Sequence, residues 1–139
     1  MTSRPSDAPI VIQIPAAPPS TNRIWRLQRG RNRLSDEARL FYELAAIYCR
    51  GKRVPKTWKY YRVEIMIDPQ RRRGDVDNRI KAVLDAMTKA GVWVDDERVS
   101  FVSCQFGQID KRGRTIVKIS RADRKFLDDD GIIDVFTRN

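Results

Sequence analysis

The sequence predicts an α+β fold, a single domain whose mixed β-sheet packs with two main helices. Three observations carry that expectation. Short β-rich stretches recur at residues 10–14, 60–67, 99–106 and 114–120, the first two with clean apolar alternation. Two longer stretches carry apolar residues at helical spacing. The resulting order β, α, β, α, β, β shows no internal repeat, and 139 residues fit one domain.

Each element has its own signal. Residues 1–9 are expected to be a flexible tail. IVIQI (10–14) places Ile10, Ile12 and Ile14 on one side of a strand. PAAPPSTN (15–22) is a loop, because proline donates no ladder hydrogen bond. Residues 23–33 hold Arg23, Arg26, Arg29, Arg31 and Arg33 with no acid among them, and read as an arginine-rich loop. Trp25 lies inside it, and burial against the core is the favoured reading over stacking on a base. Ser35 can cap a helix whose first turn holds Asp36 and Glu37. Leu40, Leu44 and Ile47 form its stripe, and Gly51 can end it. YYRVEIMI (60–67) is a half-buried strand with Tyr61, Val63, Ile65 and Ile67 on one face. A second helix starts at Asp77, with Ile80, Val83, Leu84 and Met87 inward and Gly91 as its stop. Asp95-Asp96 makes a turn, VSFVSCQF (99–106) is a strand, and a hairpin-like turn at Asp110–Gly113 leads to the last strand, RTIVKIS. Residues 121–139, with Asp128, Asp129, Asp130 and Asp134, read as an acidic extension beyond a folded domain of residues 10–120.

Composition narrows the partners. Lys+Arg number 28 against 18 Asp+Glu, which gives a net charge of +10. Such a balance suits a polyanion, nucleic acid before an anionic membrane. No apolar run approaches the ~20 residues of a membrane span. Histidine is absent, which excludes Ser–His and Cys–His nucleophilic pairs and any imidazole base or ligand. The two cysteines, Cys49 and Cys104, form no CxxC motif and read as idle thiols of a reducing compartment. The amino-terminal stretch does not read as a signal peptide, because Gln13 and Pro15 interrupt its short apolar part. A cytoplasmic location is therefore expected.

The chemistry centres on RRRGDVDNRIK, residues 71–81. Two carboxylates, Asp75 and Asp77, follow the densest positive charge. In an extended chain i and i+2 share a side, so both could hold a hard cation such as Mg²⁺. The plainer reading makes Asp77 a helix N-cap, and the spacing alone favours it. Lys81, four residues on, can stabilise charge on a reacting phosphate or pair with Asp77 or Asp85 as an ordinary i,i+4 bridge. Asp95 and Asp96 gain weight only if the second helix brings their turn back beside Asp75 and Asp77.

RRRGDVDNRIKAVLDAMTKAGVWVDDERV, with PPSTNR and the arginine-rich segment after it, resembles the signature of the RusA family of Holliday junction resolvases. The resemblance implies a RusA-like nuclease domain over residues 10–120. It implies that Asp75, Asp77 and Asp96 bind a divalent metal and are catalytic, with Mg²⁺ as the cofactor and Mn²⁺ able to substitute. Lys81 corresponds to the catalytic lysine. Asp95 and Asn78 belong to the motif without an assigned role. The implied partner is branched DNA, a four-way junction nicked symmetrically by a homodimer to leave a 5′-phosphate and a 3′-hydroxyl. Arg71, Arg72 and Arg73, with Arg23, Arg26, Arg29 and Arg31, are the expected DNA-binding residues. Gly74 departs from the pattern, standing where the basic run often continues. Two rivals share the charge: a non-catalytic DNA-binding module, and a nuclease of forks or flaps. Were Asp96 too far from Asp75 and Asp77 to share an ion, the electropositive binder would be the reading left.

Overall fold

The computed structural model describes residues 7–71 and 74–122. Most of the expected amino-terminal tail, Arg72, Arg73 and all of the acidic extension except Arg121 and Ala122 lie outside the described residues.

The fold is α+β with a mixed four-stranded sheet. Strands β1 (Ile10–Ile14), β4 (Tyr60–Asp68), β5 (Val99–Phe106) and β6 (Arg114–Ala122) lie in the order β1-β6-β4-β5. Only β4 and β5 are parallel, while β6 is antiparallel to both β1 and β4. The alternation expected for residues 60–67 is the one that forms: Tyr61, Val63, Ile65 and Ile67 are buried, as are Val117 and Ile119 across the ladder. Helices α1 (Asp36–Tyr48) and α2 (Ile80–Lys89) cover that face, and Phe41, Ala45, Val83 and Met87 join one core with Trp58. Ser35 caps α1 as expected, its Oγ accepting from the Ala38 N–H at 3.1 Å.

Two expectations about connectivity are corrected. Residues 25–34 form a hairpin instead of a loop, with β2 (Trp25–Gln28) antiparallel to β3 (Arg31–Leu34). The turn at Asp110–Gly113 exists, its Gly113 N–H bonding Asp110 O at 2.9 Å, but it joins no hairpin. β5 and β6 do not pair, because β4 stands between them. β4, α2 and β5 form a parallel crossover unit with β5 at the sheet edge, and β6 returns to pair on the other side of β4.

That crossover defines two ends. Residues 69–79 follow the carboxyl end of β4, next to the start of β6. Residues 92–98 lie at the opposite end, where β5 begins beside Tyr61. Val54 N–H bonds Val92 O at 3.0 Å, and the Trp93 ring stacks on Tyr61 at 5.7 Å, which fixes this second end.

The first end is held by Asp68. Its buried carboxylate accepts from Arg114 at 2.6 and 2.8 Å and from the Gln108 N–H at 3.0 Å. A Cβ at residue 107 would collide with that same carboxylate, so glycine is required there. Removing one partner of a buried pair strands a charge, at about 3–5 kcal/mol. The guanidinium is half-exposed, so Arg114→Ala should lower stability by about 2–3 kcal/mol in urea unfolding. A loss below about 0.5 kcal/mol would show the clasp to be peripheral.

Candidate functional site

Asp75 and Asp77 sit just past the carboxyl end of β4. Gly74 adopts φ +71°, the left-handed region that a side chain strains. Its departure from the basic run is thus a turn requirement. Asp75 is extended (φ −89°, ψ 143°), and residues Val76–Arg79 form a 3₁₀ turn that runs into α2. Asn78 N–H closes it on Asp75 O at 3.2 Å. The proline-rich loop pins this turn: Thr21 Oγ1 donates to Asn78 O at 2.9 Å, and Arg79 Nη1 donates to Pro18 O at 2.7 Å. Neither Thr21 nor Arg79 stands out in the sequence, although Thr21 lies in PPSTNR and Arg79 in RRRGDVDNRIK.

This geometry settles how the two carboxylates are used locally. Asp75, and not Asp77, occupies the cap position, and its side chain makes no capping bond. Asp77 lies inside the 3₁₀ turn, so strand alternation does not set its direction. Both residues are exposed, and neither carboxylate has a hydrogen-bond or ion-pair partner among the described residues. Two unengaged oxygen donors suit a hard divalent cation. Lys81 is also exposed, its Nζ 3.9 Å from Asp85 Oδ2. Such a loose surface pair contributes about 0.3–0.5 kcal/mol at most and leaves the ammonium available.

Asp96 does not join them within one chain. It opens a short 3₁₀ turn, Asp96–Arg98, at the far end of the crossover. Asp95 is the cap of that turn, its Oδ1 accepting from the Glu97 N–H at 2.9 Å. The ladder from Tyr61 to Ile67 spans about 20 Å at ~3.3 Å per residue, and α2 with its ten residues spans about 15 Å. Ligands of one Mg²⁺ each stand about 2.0–2.1 Å from the ion. Among the described residues no three acidic or thiol side chains lie close enough to hold one. The expectation that α2 returns Asp96 to the first pair is therefore corrected, and for one chain taken alone the electropositive binder is the reading left. A helix joining parallel strands must deliver the chain to the opposite end of the sheet.

The arginines gather near the Asp75 end and on the hairpin. Arg23, Arg71, Arg79 and Arg112 line a cleft of about 680 Å³ whose floor includes Phe41, Leu44 and Ile67. Burial lowers the Arg79 pKa from its ordinary value, Glu37 opposes that shift, and Arg23 adds to it. On the hairpin, Arg26 faces Arg33 and Gln28 faces Arg31, all exposed. Arg29 and Gly30 close it with φ 52° and 75°, the type I′ geometry of two-residue hairpins. Trp25 is 56% exposed, so the expectation of burial is overturned: the hairpin carries it away from the core.

A basic α+β chain with this motif matches the family described as endodeoxyribonuclease RusA over residues 15–120. The chain belongs to the RusA family. It is 41% identical over 85 residues to the crossover junction endodeoxyribonuclease rusA of Enterobacteria phage 82, an overlap of 59% of this chain and 70% of that relative. It is 40% identical over 91 residues to the crossover junction endodeoxyribonucleases RusA of Escherichia coli K12 and Shigella sonnei Ss046, with the same coverage. Among the described residues no helix is long and apolar enough to cross a membrane.

The thiols of this RusA chain are poor nucleophiles. Burial pushes Cys49 and Cys104 up from 9.0 to about 11. At pH 8 the thiolate is then about a hundredfold scarcer than in an unperturbed cysteine. Iodoacetamide should label the native protein on the order of a hundredfold more slowly than the urea-unfolded chain. Equal rates would show an exposed, reactive thiol.

Proposed function

We propose that this chain is a Mg²⁺-dependent endodeoxyribonuclease that resolves four-way DNA junctions as a homodimer. In this reading each site draws Asp75, Asp77 and Lys81 from one protomer and Asp96 from its partner. The observation that carries it is the crossover. One motif holds both acidic clusters, yet a single chain keeps them at opposite ends of α2. A twofold dimer can bring the Asp96 end of each chain to the Asp75 end of the other, and yields two equal sites for two strands. The names of the family relatives supply the junction as substrate.

The roles follow from the side chains. Asp75 and Asp77 are the free oxygen donors that would hold Mg²⁺, or Mn²⁺ in its place. Such an ion, when bound, polarises the phosphate and acidifies water. Lys81, one turn after Asp77, places positive charge where negative charge grows on the departing 3′ oxygen. The water oxygen joins phosphorus as the P–O3′ bond breaks, leaving a 5′-phosphate and a 3′-hydroxyl. Arg23 and Arg71, lining the cleft, hold the neighbouring backbone phosphates by charge-assisted hydrogen bonds. Arg26, Arg29 and Arg31 extend that surface along the hairpin. Asn78 gives its backbone carbonyl to Thr21 and so orients the turn that carries both acids.

The test is cleavage of a synthetic four-way junction, beside a fork and a linear duplex, with Mg²⁺, Mn²⁺ or EDTA. Asp77→Asn should reduce junction cleavage by on the order of 10²–10³. Junction binding should hold or tighten, because a carboxylate no longer repels the phosphate. Unchanged cleavage would remove Asp77 from the mechanism. Binding by the unaltered protein with no cleavage in either metal would leave a DNA-binding module.

A further inference from the structure

The three tryptophans divide sharply. Trp58 and Trp93 are 0% and 2% exposed, whereas Trp25 is 56% exposed. Leu27, two residues on, shares its strand face and is 73% exposed. In the ladder Trp25 lies opposite Leu34 and Leu27 opposite Asn32. Leu34 packs against the core, so this face is anchored at its foot and bare towards its tip. The other face presents Arg26, Gln28, Arg31 and Arg33, with Arg29 in the turn. Asp36 and Glu37 share the hollow beside Trp25 and Arg23 at the foot.

Water-exposed apolar surface of this kind favours an occupant. Charge decides which. A second copy of the hairpin brings the same arginines and is repelled. Nucleic acid offers apolar base faces flanked by phosphates, and it attracts the ribbon. Apolar wedges enter between bases where stacking is weak, and aromatic rings stack on unpaired bases of any sequence. A branch point supplies such bases, whereas a linear duplex must first be unstacked.

We propose that Trp25 and Leu27 form a base-stacking wedge that enters the branch of a DNA junction, while Arg26, Arg31 and Arg33 rest on the flanking phosphates. The wedge makes the hairpin a determinant of structure selectivity, and it builds on the junction-nuclease reading above.

Trp25 is the one exposed tryptophan of the three, so acrylamide quenching reports it directly. In EDTA, where cleavage is not required, a saturating four-way junction should cut its quenching constant about threefold or more. Linear duplex of equal length should protect it far less. Trp25→Ala and Leu27→Ala should each lower the junction-to-duplex affinity ratio by about tenfold. Trp25→Phe should restore most of it, while Arg26→Ala should weaken both substrates alike. Thermal melts of each variant separate these effects from unfolding. Equal quenching in both complexes would overturn the wedge. So would concentration-dependent protection of Trp25 in the free protein, which would identify a second copy as the occupant. Cleavage without protection removes the wedge alone. Protection without cleavage in Mg²⁺ or Mn²⁺ removes the nuclease reading and leaves the wedge.

Discussion

Two parallel strands cannot be joined by a tight turn, and this constraint governs the molecule. The chain must travel back along the sheet before β5 can pair with β4, and α2 makes that journey. Its amphipathic stripe turns the journey into core, since Ala82, Val83, Ala86 and Met87 are all buried. The same stripe sets the geography of the acids. Asp75 and Asp77 precede the helix at one end of the sheet, and Asp95 and Asp96 follow it at the other. One helix separates them, so an ion shared by Asp75, Asp77 and Asp96 would need two chains.

Around the first acidic end the fold concentrates positive charge without cancelling it. The proline-rich loop holds the 3₁₀ turn by two bonds to backbone carbonyls, and Asp68 locks β4 to β6 through Arg114. These ties use neither Asp75 nor Asp77. An exposed carboxylate without a partner adds little to stability, but its oxygens are free to receive a cation. Glu37 opposes part of the effect of burying Arg79, whose guanidinium stays charged at the cleft wall.

Much of this was legible from residue order. Alternation in YYRVEIMI and the Ser35 cap are local signals that formed as read. The α2 stripe formed in part: Val83 and Met87 are buried with Ala82 and Ala86, while Ile80 and Leu84 are half-buried. The α1 stripe is corrected, because Leu40 and Ile47 are exposed and the buried face is Ala38, Phe41, Tyr42 and Ala45. The motif residues were also legible as a set. What local signals cannot convey is pairing between distant strands. Nothing in VSFVSCQF or RTIVKIS says that β4 lies between them, or that β5 runs parallel to β4, the arrangement that parts Asp96 from Asp77. The hairpin is hidden in the sequence for a different reason. WRLQ and RNRL alternate around Arg29-Gly30, but type I′ turns favour Asn-Gly, and the density of arginine obscured the period. The exposure of Trp25 is hidden with it, since tryptophan is highly buried on average and only the ribbon carries this one outward.

Subunit mixing tests the shared site most directly. Asp77→Asn and Asp96→Asn protomers, each expected to be inactive alone, are combined and assayed for nicking of a four-way junction. If each site takes Asp77 from one chain and Asp96 from the other, a mixed dimer carries both lesions in one site and none in the second. The mixture should then regain single-strand nicking. Continued inactivity, with mixed dimers demonstrated in the sample, would contradict a site built from two chains.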